Sequence, residues 1–449
     1  MSKRAVLPPG PKESPVFGSL KHYLNDLPYY LLRLSREYGN LCTFHLGKTP
    51  VVLVNEPDLI EQILVKDSRK FIKGRGLQRA KVLLGEGLFT SEGDFHLRQR
   101  KMCQKPFTKR CMVGYQPIMQ EYAKEAVEKL TDGEERDMLK DMMQLTLRVI
   151  GKAAFGLDLA EDAPTVGTAF TEFLEWFPIR VVPGSELLDH IPVPSTKHID
   201  HAVKELNSVI LGIIQKRREN PATEGGDFLS ILMHAVDEEG DGSKMTDEQL
   251  RAEIMSMFLG GHETTANALS WCYYLLSLHP HIRERVQQEV DTVLEGRLPT
   301  AEDYPKLELC QQIFAEALRM YPPVWFMPRE AVEDYQLGEY LIPKGATVAV
   351  SQLVTHYDHR FWQEPMAFWP ERHSKEAAHA RPKFSYFPFS AGERFCLGEK
   401  FAWLEGVTVL AAMMQKWEFH YEGNRPINYV ASLTLRPKHG MHLRVRARK

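Results

Sequence analysis

One helical apolar period dominates the chain, running without a stop from Thr246 to His279-Pro280. Thr246, with Gln249 three residues on, spells a capping box. Ile254, Met257, Phe258, Trp271 and Leu275 keep the period behind it. At 1.5 Å per residue this helix is on the order of 50 Å long, enough to cross a whole domain. Its middle, Gly260-Gly261-His262-Glu263-Thr264-Thr265, is too polar for a membrane span. Two adjacent glycines in a helix interior cost roughly 1 kcal/mol each, so they need a reason. A flat, bulky group packed against the helix supplies one. Glu263 and Thr264 place an acid and a hydroxyl beside the expected distortion, where a freed carbonyl holds water.

The remaining pattern is mainly α with a smaller β-rich region. A helix is predicted over 29–38, then strands over 41–46 and 51–54 joined by the turn Gly47-Lys-Thr-Pro50. A helix follows over 57–66, and helical periodicity prevails from there to about 295. After a helix over 309–320, strands return at 335–337, 340–342 and 347–351, with Pro343-Lys-Gly345 as a turn. The C-terminus alternates over 431–445 around Lys438-His-Gly440. No repeat or low-complexity tract interrupts this. The chemistry-bearing motifs run from position 96 to 398, so the 449 residues are read as one domain, 1–449.

Composition excludes several classes. A net charge of −3 gives no support for nucleic-acid binding, and 43% hydrophobic with 26% charged residues is ordinary for a globular protein. Cys42, Cys103, Cys111, Cys272, Cys310 and Cys396 show no disulfide framework, which suits a reducing compartment. Residues 1–12, with Pro8-Pro9-Gly10-Pro11, contain no apolar leader or membrane span. The expectation is a cytoplasmic protein with no integral membrane segment.

Chemistry concentrates at Phe387-Pro-Phe-Ser-Ala-Gly-Glu-Arg-Phe-Cys-Leu-Gly398. Cys396 is the best candidate for a metal bond. A helix over 397–410 would point its first N–H groups at the sulfur and stabilise a thiolate. Gly392 and Gly398 let backbone approach something bulky, Arg394 supplies a cation, and Phe389 and Phe395 keep water away. No second sulfur or histidine stands at zinc spacing, so a structural zinc site is not expected. One thiolate, one arginine and close-approach glycines fit a haem, with iron on sulfur and a propionate on the guanidinium. A buried structural cysteine would explain none of the other positions.

The pattern Phe389-x-x-Gly392-x-Arg394-x-Cys396-x-Gly398 resembles the haem signature of the cytochrome P-450 family, with five specified positions in ten residues. The resemblance covers nearly the whole chain in the expected order. It implies that family's fold, with haem b between the long helix and the cysteine loop. Gly260, Gly261, Glu263 and Thr264 match the oxygen-activating motif, where the Thr264 position hydrogen-bonds the iron-bound dioxygen and the Glu263 position feeds protons from solvent. Glu316-Ala-Leu-Arg319 alone is an ordinary i, i+3 pair. With Phe368-x-Pro-Glu-Arg372 it matches the family's buried Glu–Arg–Arg network, a structural assignment, with His373 a minor departure. His96, Arg100 and Arg329 match propionate partners beside Arg394. Segments 74–89, 173–182, 324–327 and 429–434 resemble the pocket regions, giving Leu77, Leu88, Phe177, Val324, Trp325, Phe326, Met327 and Leu433 as substrate contacts. Such an apolar pocket suits a fatty acid, terpenoid or steroid, with Arg75 or Arg79 as a carboxylate receptor and 177–194 as a lid.

The resulting expectation is a monomeric haem-thiolate monooxygenase, inserting one oxygen atom from O2 into a hydrophobic small molecule. No flavin or iron–sulfur unit is read in the sequence, so electrons would come from a separate donor, a ferredoxin or a flavodoxin/reductase. Arg98, Lys101, Lys105, Lys109 and Arg110 would form a basic face for it. Two alternatives stay open: a haem-thiolate isomerase, dehydratase or peroxygenase needing no donor, and a non-enzymatic haem sensor or carrier. The intact Glu263–Thr264 pair argues against both.

Overall fold

The computed structural model describes residues 7–159, 163–182, 184–191, 193–219, 226–237 and 242–448. Positions 1–6 of the proline-rich start, and 183 and 192 of the predicted lid, lie outside the described residues.

The central helix forms where its sequence places it. Gln249 N donates to Thr246 Oγ1 (3.2 Å) and Thr246 N donates to Gln249 Oε1 (3.0 Å), so the capping box closes from both sides. The helix then runs as Asp247–Phe258, opens into a π-helical turn at Leu259–Glu263, and resumes over Thr264–Leu278. Leu269, Trp271 and Tyr273 are fully buried, so this element is apolar on every side and lies inside the core. Helices Met138–Phe155, Glu308–Met320 and Glu399–Lys416 pack against it, and Lys109–Glu128 packs on the last of these.

The β-rich region is one five-stranded sheet in the order Leu41–Leu46, Thr49–Val54, Thr347–Val350, Met327–Ala331, Phe71–Lys73, with smaller sheets around it. Thr49–Val54 runs parallel to Thr347–Val350; the other pairings are antiparallel. Alternation sends Val52, Val54, Val348 and Val350 to one apolar cluster and Val51, Leu53 and Ala349 to another, under helix Leu20–Tyr38. Lys73 and Arg329 stand opposite each other on neighbouring strands. That juxtaposition matters below.

Three local expectations change. The first hairpin turns in two residues, since Leu46 pairs with Thr49, with Gly47 at φ 61°. The helix predicted over 29–38 is the second half of Leu20–Tyr38, which breaks at Asp26 (φ −160°, ψ 81°), whose carboxylate accepts Tyr29 N. At the C-terminus no hairpin forms around 438–440. Instead Tyr429–Ala431 pairs with Leu435–Pro437, while His442–Ala447 pairs with Glu135–Asp137 and Trp417–His420. Long-range partners decide that register, and no local pattern encodes them.

Candidate active site

The cysteine segment folds back on itself before the helix Glu399–Lys416 begins. Ser390 N donates to Phe387 O, Phe395 N to Gly392 O and Cys396 N to Phe389 O, each at 3.0 Å. Gly392 is required twice. Its φ is 66°, and a Cβ there would lie 2.2 Å from Leu64 O, so the close approach is to the backbone of Gln62–Lys66 rather than to a bound group. At Gly398 a Cβ would meet only Cys396 Sγ (3.9 Å) and Phe107 (4.0 Å). Phe389 stacks obliquely on Trp403.

Cys396 is exposed by surface area, yet burial among protein pushes its thiol up to about 11. The N–H groups of Gly398 and Glu399 and the Arg100 guanidinium act in the opposite sense, favouring the thiolate. Only a stronger positive partner, such as a metal ion, would make this sulfur a thiolate at neutral pH.

Around it lies a concentration of cations short of partners. His96 is buried on helix Gly93–Cys103; Nδ1 faces Ser91 Oγ (3.2 Å), while Nε2 has no hydrogen bond. Burial, with Lys73, Arg394 and Arg100 nearby, pulls His96 down to about 3. Among the described residues buried Arg329 bonds only Pro328 O (3.1 Å), and it is lowered to about 10 by burial and by Arg394. Among the described residues the Arg100 guanidinium receives no hydrogen-bond partner. Arg394 pairs with Glu92 and donates to Ser91 O (3.3 Å). Glu92 pairs with Arg394 and acts on Arg329, and Glu393 acts on Arg100. An orphaned imidazole nitrogen and two under-bonded guanidinia fit a group that brings two carboxylates of its own.

The central helix supplies a polar turn. Thr264 Oγ1 donates to Gly260 O (2.6 Å) and Thr146 Oγ1 to His262 O (2.8 Å), so two carbonyls at the π-helical turn are taken by hydroxyls. The two glycines have protein neighbours. A Cβ at Gly261 would meet Ile150 at 3.0 Å, and one at Gly260 would meet the Phe89 ring at 3.3 Å. Gly261 therefore admits a neighbouring helix, a correction to the reading that both glycines make room for a macrocycle. Glu263 does not face water either. It is buried, accepts from Thr434 Oγ1 (2.5 Å), and keeps Oε2 without a partner. Burial raises its pKa, against the hydrogen bond from Thr434 and the charge of Arg436.

Glu316, Arg319 and Arg372 come together as a buried cluster. Arg319 binds Glu316 through Nε (2.7 Å) and Nη2 (2.9 Å), Arg372 Nε lies 3.2 Å away, and Trp369 N donates at 3.0 Å. His373 is a fourth side chain in the cluster, Nε2 to Glu316 Oε2 at 2.8 Å, more than the minor departure its sequence position suggests. Burial opposes ionisation of Glu316, but His373 and Arg319 hold it down at about 2.

Comparison with known proteins agrees with this geometry. The family model for Cytochrome P450 matches residues 8–444. The chain belongs to the cytochrome P450 family. It is 32% identical to cyclooctatin synthase of Streptomyces melanosporofaciens over 93% of this chain and 89% of that one. It is 29% identical to pentalenene oxygenase of Streptomyces avermitilis, covering 98% and 97% of the two chains. The crystal structure of the cytochrome P450DA haem domain superimposes with a TM-score of 0.89 at 26% identity, covering 100% of this chain and 99% of that one. As a P450 the protein is a monooxygenase whose cofactor is a haem with cysteine-thiolate ligation.

Several P450-derived expectations meet other surroundings. Arg75 donates to Val181 O (2.9 Å) and Val182 O (3.2 Å), and Arg79 to Arg180 O (3.2 Å). These arginines tie helix Arg75–Arg79 to the end of helix Ala163–Val181, so neither waits for a carboxylate. Trp325 is core, buried beneath helix Leu20–Tyr38 with Nε1 on Ser432 O (3.1 Å); Phe326 stacks on it, and Met327 and Val324 pack in the adjoining cluster. Phe177 is buried against Phe173. Leu77, Leu88 and Leu433 are half-buried. In the basic face, Arg98 turns inward to Asp237 (2.9 Å), while Lys101, Lys109 and Arg110 are exposed. Sequence reasoning missed Lys73, Ser91, Thr146 and Glu253; Phe89 and Thr434 lay within the pocket segments 74–89 and 429–434 without being singled out. Only Lys73, charged within the apolar strand Phe71–Lys73, left a local signal.

Proposed function

We propose that this P450 inserts one oxygen atom of O2 into a hydrophobic substrate of terpenoid type, with electrons from a separate donor protein. The observation that carries the reading is Cys396 at a helix start beside under-bonded His96, Arg100, Arg329 and Arg394. The names of cyclooctatin synthase and pentalenene oxygenase support the substrate class. The described chain acts as one unit and a monomer. Its cysteines are all free, which supports a cytoplasmic setting, and no helix among the described residues is long and apolar enough to cross a membrane.

In this reading Cys396 Sγ is the metal ligand. Gly398 N–H, Glu399 N–H and the start of helix Glu399–Lys416 stabilise its negative charge. His96 Nε2 and the Arg100, Arg329 and Arg394 guanidinia hold the propionates. When bound, haem supplies oxygen activation. Thr264 Oγ1 keeps a hydroxyl at the π-helical turn, and Glu263, buried with a raised pKa, keeps one oxygen free of Thr434 to take up and pass on a proton. Lys109 and Arg110 offer exposed cations to an acidic donor. The intact acid and hydroxyl favour this reading over a donor-independent peroxygenase, isomerase or dehydratase, and over a haem sensor.

Turnover with isotopically labelled dioxygen, a ferredoxin–reductase pair and a panel of terpenes tests it. Label in a hydroxylated product, lost without the donor, is the expected result. Product formed only from added peroxide would overturn it.

A further inference from the structure

Beside the site lie two buried ionisable side chains that the mechanism above does not use. Lys73 is 4% exposed and Glu253 fully buried, and they form no direct ion pair. Burying such groups costs several kcal/mol unless hydrogen bonds answer them. Here the answer comes from one short stretch of backbone. Lys73 Nζ donates to Leu88 O (2.7 Å) and Ser91 O (2.8 Å). Glu253 Oε2 accepts from Leu88 N (3.1 Å), and its other oxygen accepts from Gln99 Nε2 (3.1 Å). Both polar groups of Leu88 are thus taken, one by each side chain. Gly87 lets the stretch lie directly on the central helix, since a Cβ there would come within 2.6 Å of Ala252 O.

What this clamp holds is the site itself. Leu88 leads into Phe89, whose ring lies against Gly260 in the π-helical turn. Ser91, held through its carbonyl, faces His96 Nδ1 through its hydroxyl, leaving Nε2 free. We infer that Lys73 and Glu253 are positioning residues that fix Leu88 and Phe89 as a wall of the substrate pocket and, through Ser91, orient His96. Fit at that wall is then set by two buried polar side chains behind it. The inference rests on the P450 reading of the π-helical turn.

The test uses the haem-loaded protein and two probe ligands, imidazole and phenylimidazole, titrated by their spectral shifts. Imidazole asks only for access to the iron; the phenyl group must also fit the wall. Lys73→Met is expected to change the ratio of the two affinities roughly tenfold, the factor that one lost hydrogen bond corresponds to. Glu253→Ala should speed amide exchange at Leu88 by about the same factor, and Glu253→Gln, which keeps the acceptor, should restore it. A purely structural role would lower stability and leave the affinity ratio unchanged, and that result overturns the inference. Should Lys73→Met not fold, Lys73→Arg, which moves the donors outward, carries the same comparison with the same overturning result. A missing thiolate signature with carbon monoxide breaks the haem reading alone. Unchanged exchange with that signature intact breaks the clamp alone.

Discussion

Two buried charged clusters flank the cysteine segment, and they end in opposite states. Around Glu316 the central charge is fully answered: Arg319, Arg372, His373 and Trp369 N converge on its two oxygens. Around His96 the cations outnumber their partners, leaving Nε2 orphaned and Arg329 bonded only to its own strand. A satisfied cluster is finished by folding and reads as a brace. An unsatisfied one, held by the same fold, reads as a receptor for a ligand of opposite charge. The distinction turns on partners, since both clusters are buried and both are rich in arginine.

The largest expected effect comes from breaking the finished cluster. Glu316→Ala strands Arg319 and Arg372 in the core and should cost about 3–5 kcal/mol, read as loss of folded protein or a large drop in melting temperature. Arg329→Ala should behave differently. It removes one cation from a like-charged group, so the melting temperature of haem-free protein should hold or rise, while haem dissociates roughly tenfold to a hundredfold faster. If both variants lose stability equally, the contrast between the clusters fails.

Acid sharpens it further. Burial holds His373 down at about 4 in the folded state, so between about 6.5 and about 4 the unfolded chain takes up a proton that the folded chain refuses. Stability must therefore fall as pH drops through that window, by at most about 3 kcal/mol from this group. Glu316, ionised down to about 2, extends the loss in the same direction below the ordinary glutamate range. His373→Gln, which keeps a donor for Glu316, should flatten the upper window in thermal melts across pH.

The smallest effect belongs to Thr434→Val. Losing its hydrogen bond to Glu263 should cost about 1 kcal/mol of stability and lower product per electron pair a few-fold, with Thr434→Ser restoring both. Unchanged coupling would remove Thr434 from the proton-holding arrangement.

How much of this was legible beforehand follows from locality. The capping box at Thr246, the cysteine segment and the i, i+3 pair Glu316–Arg319 are short-range patterns, and they form as written. The π-helical turn falls where Gly260-Gly261 announced a distortion. Thr146, Lys73 and Glu253 reach the site from distant parts of the chain, and no spacing rule connects them to it. Gly392 and Gly261 were rightly marked as close approaches, but what approaches is Leu64 and Ile150. Trp325 shows the converse: an apolar residue in a pocket-like segment was claimed by the core.

The central claim is that Cys396 holds haem iron as a thiolate, and one spectrum tests it most directly. Reduced, carbon monoxide-treated protein should show the red-shifted Soret band of thiolate-ligated haem, and Cys396→Ala should lose it. A Soret band at the ordinary position of histidine-ligated haem, or a red-shifted band that survives Cys396→Ala, would contradict the account.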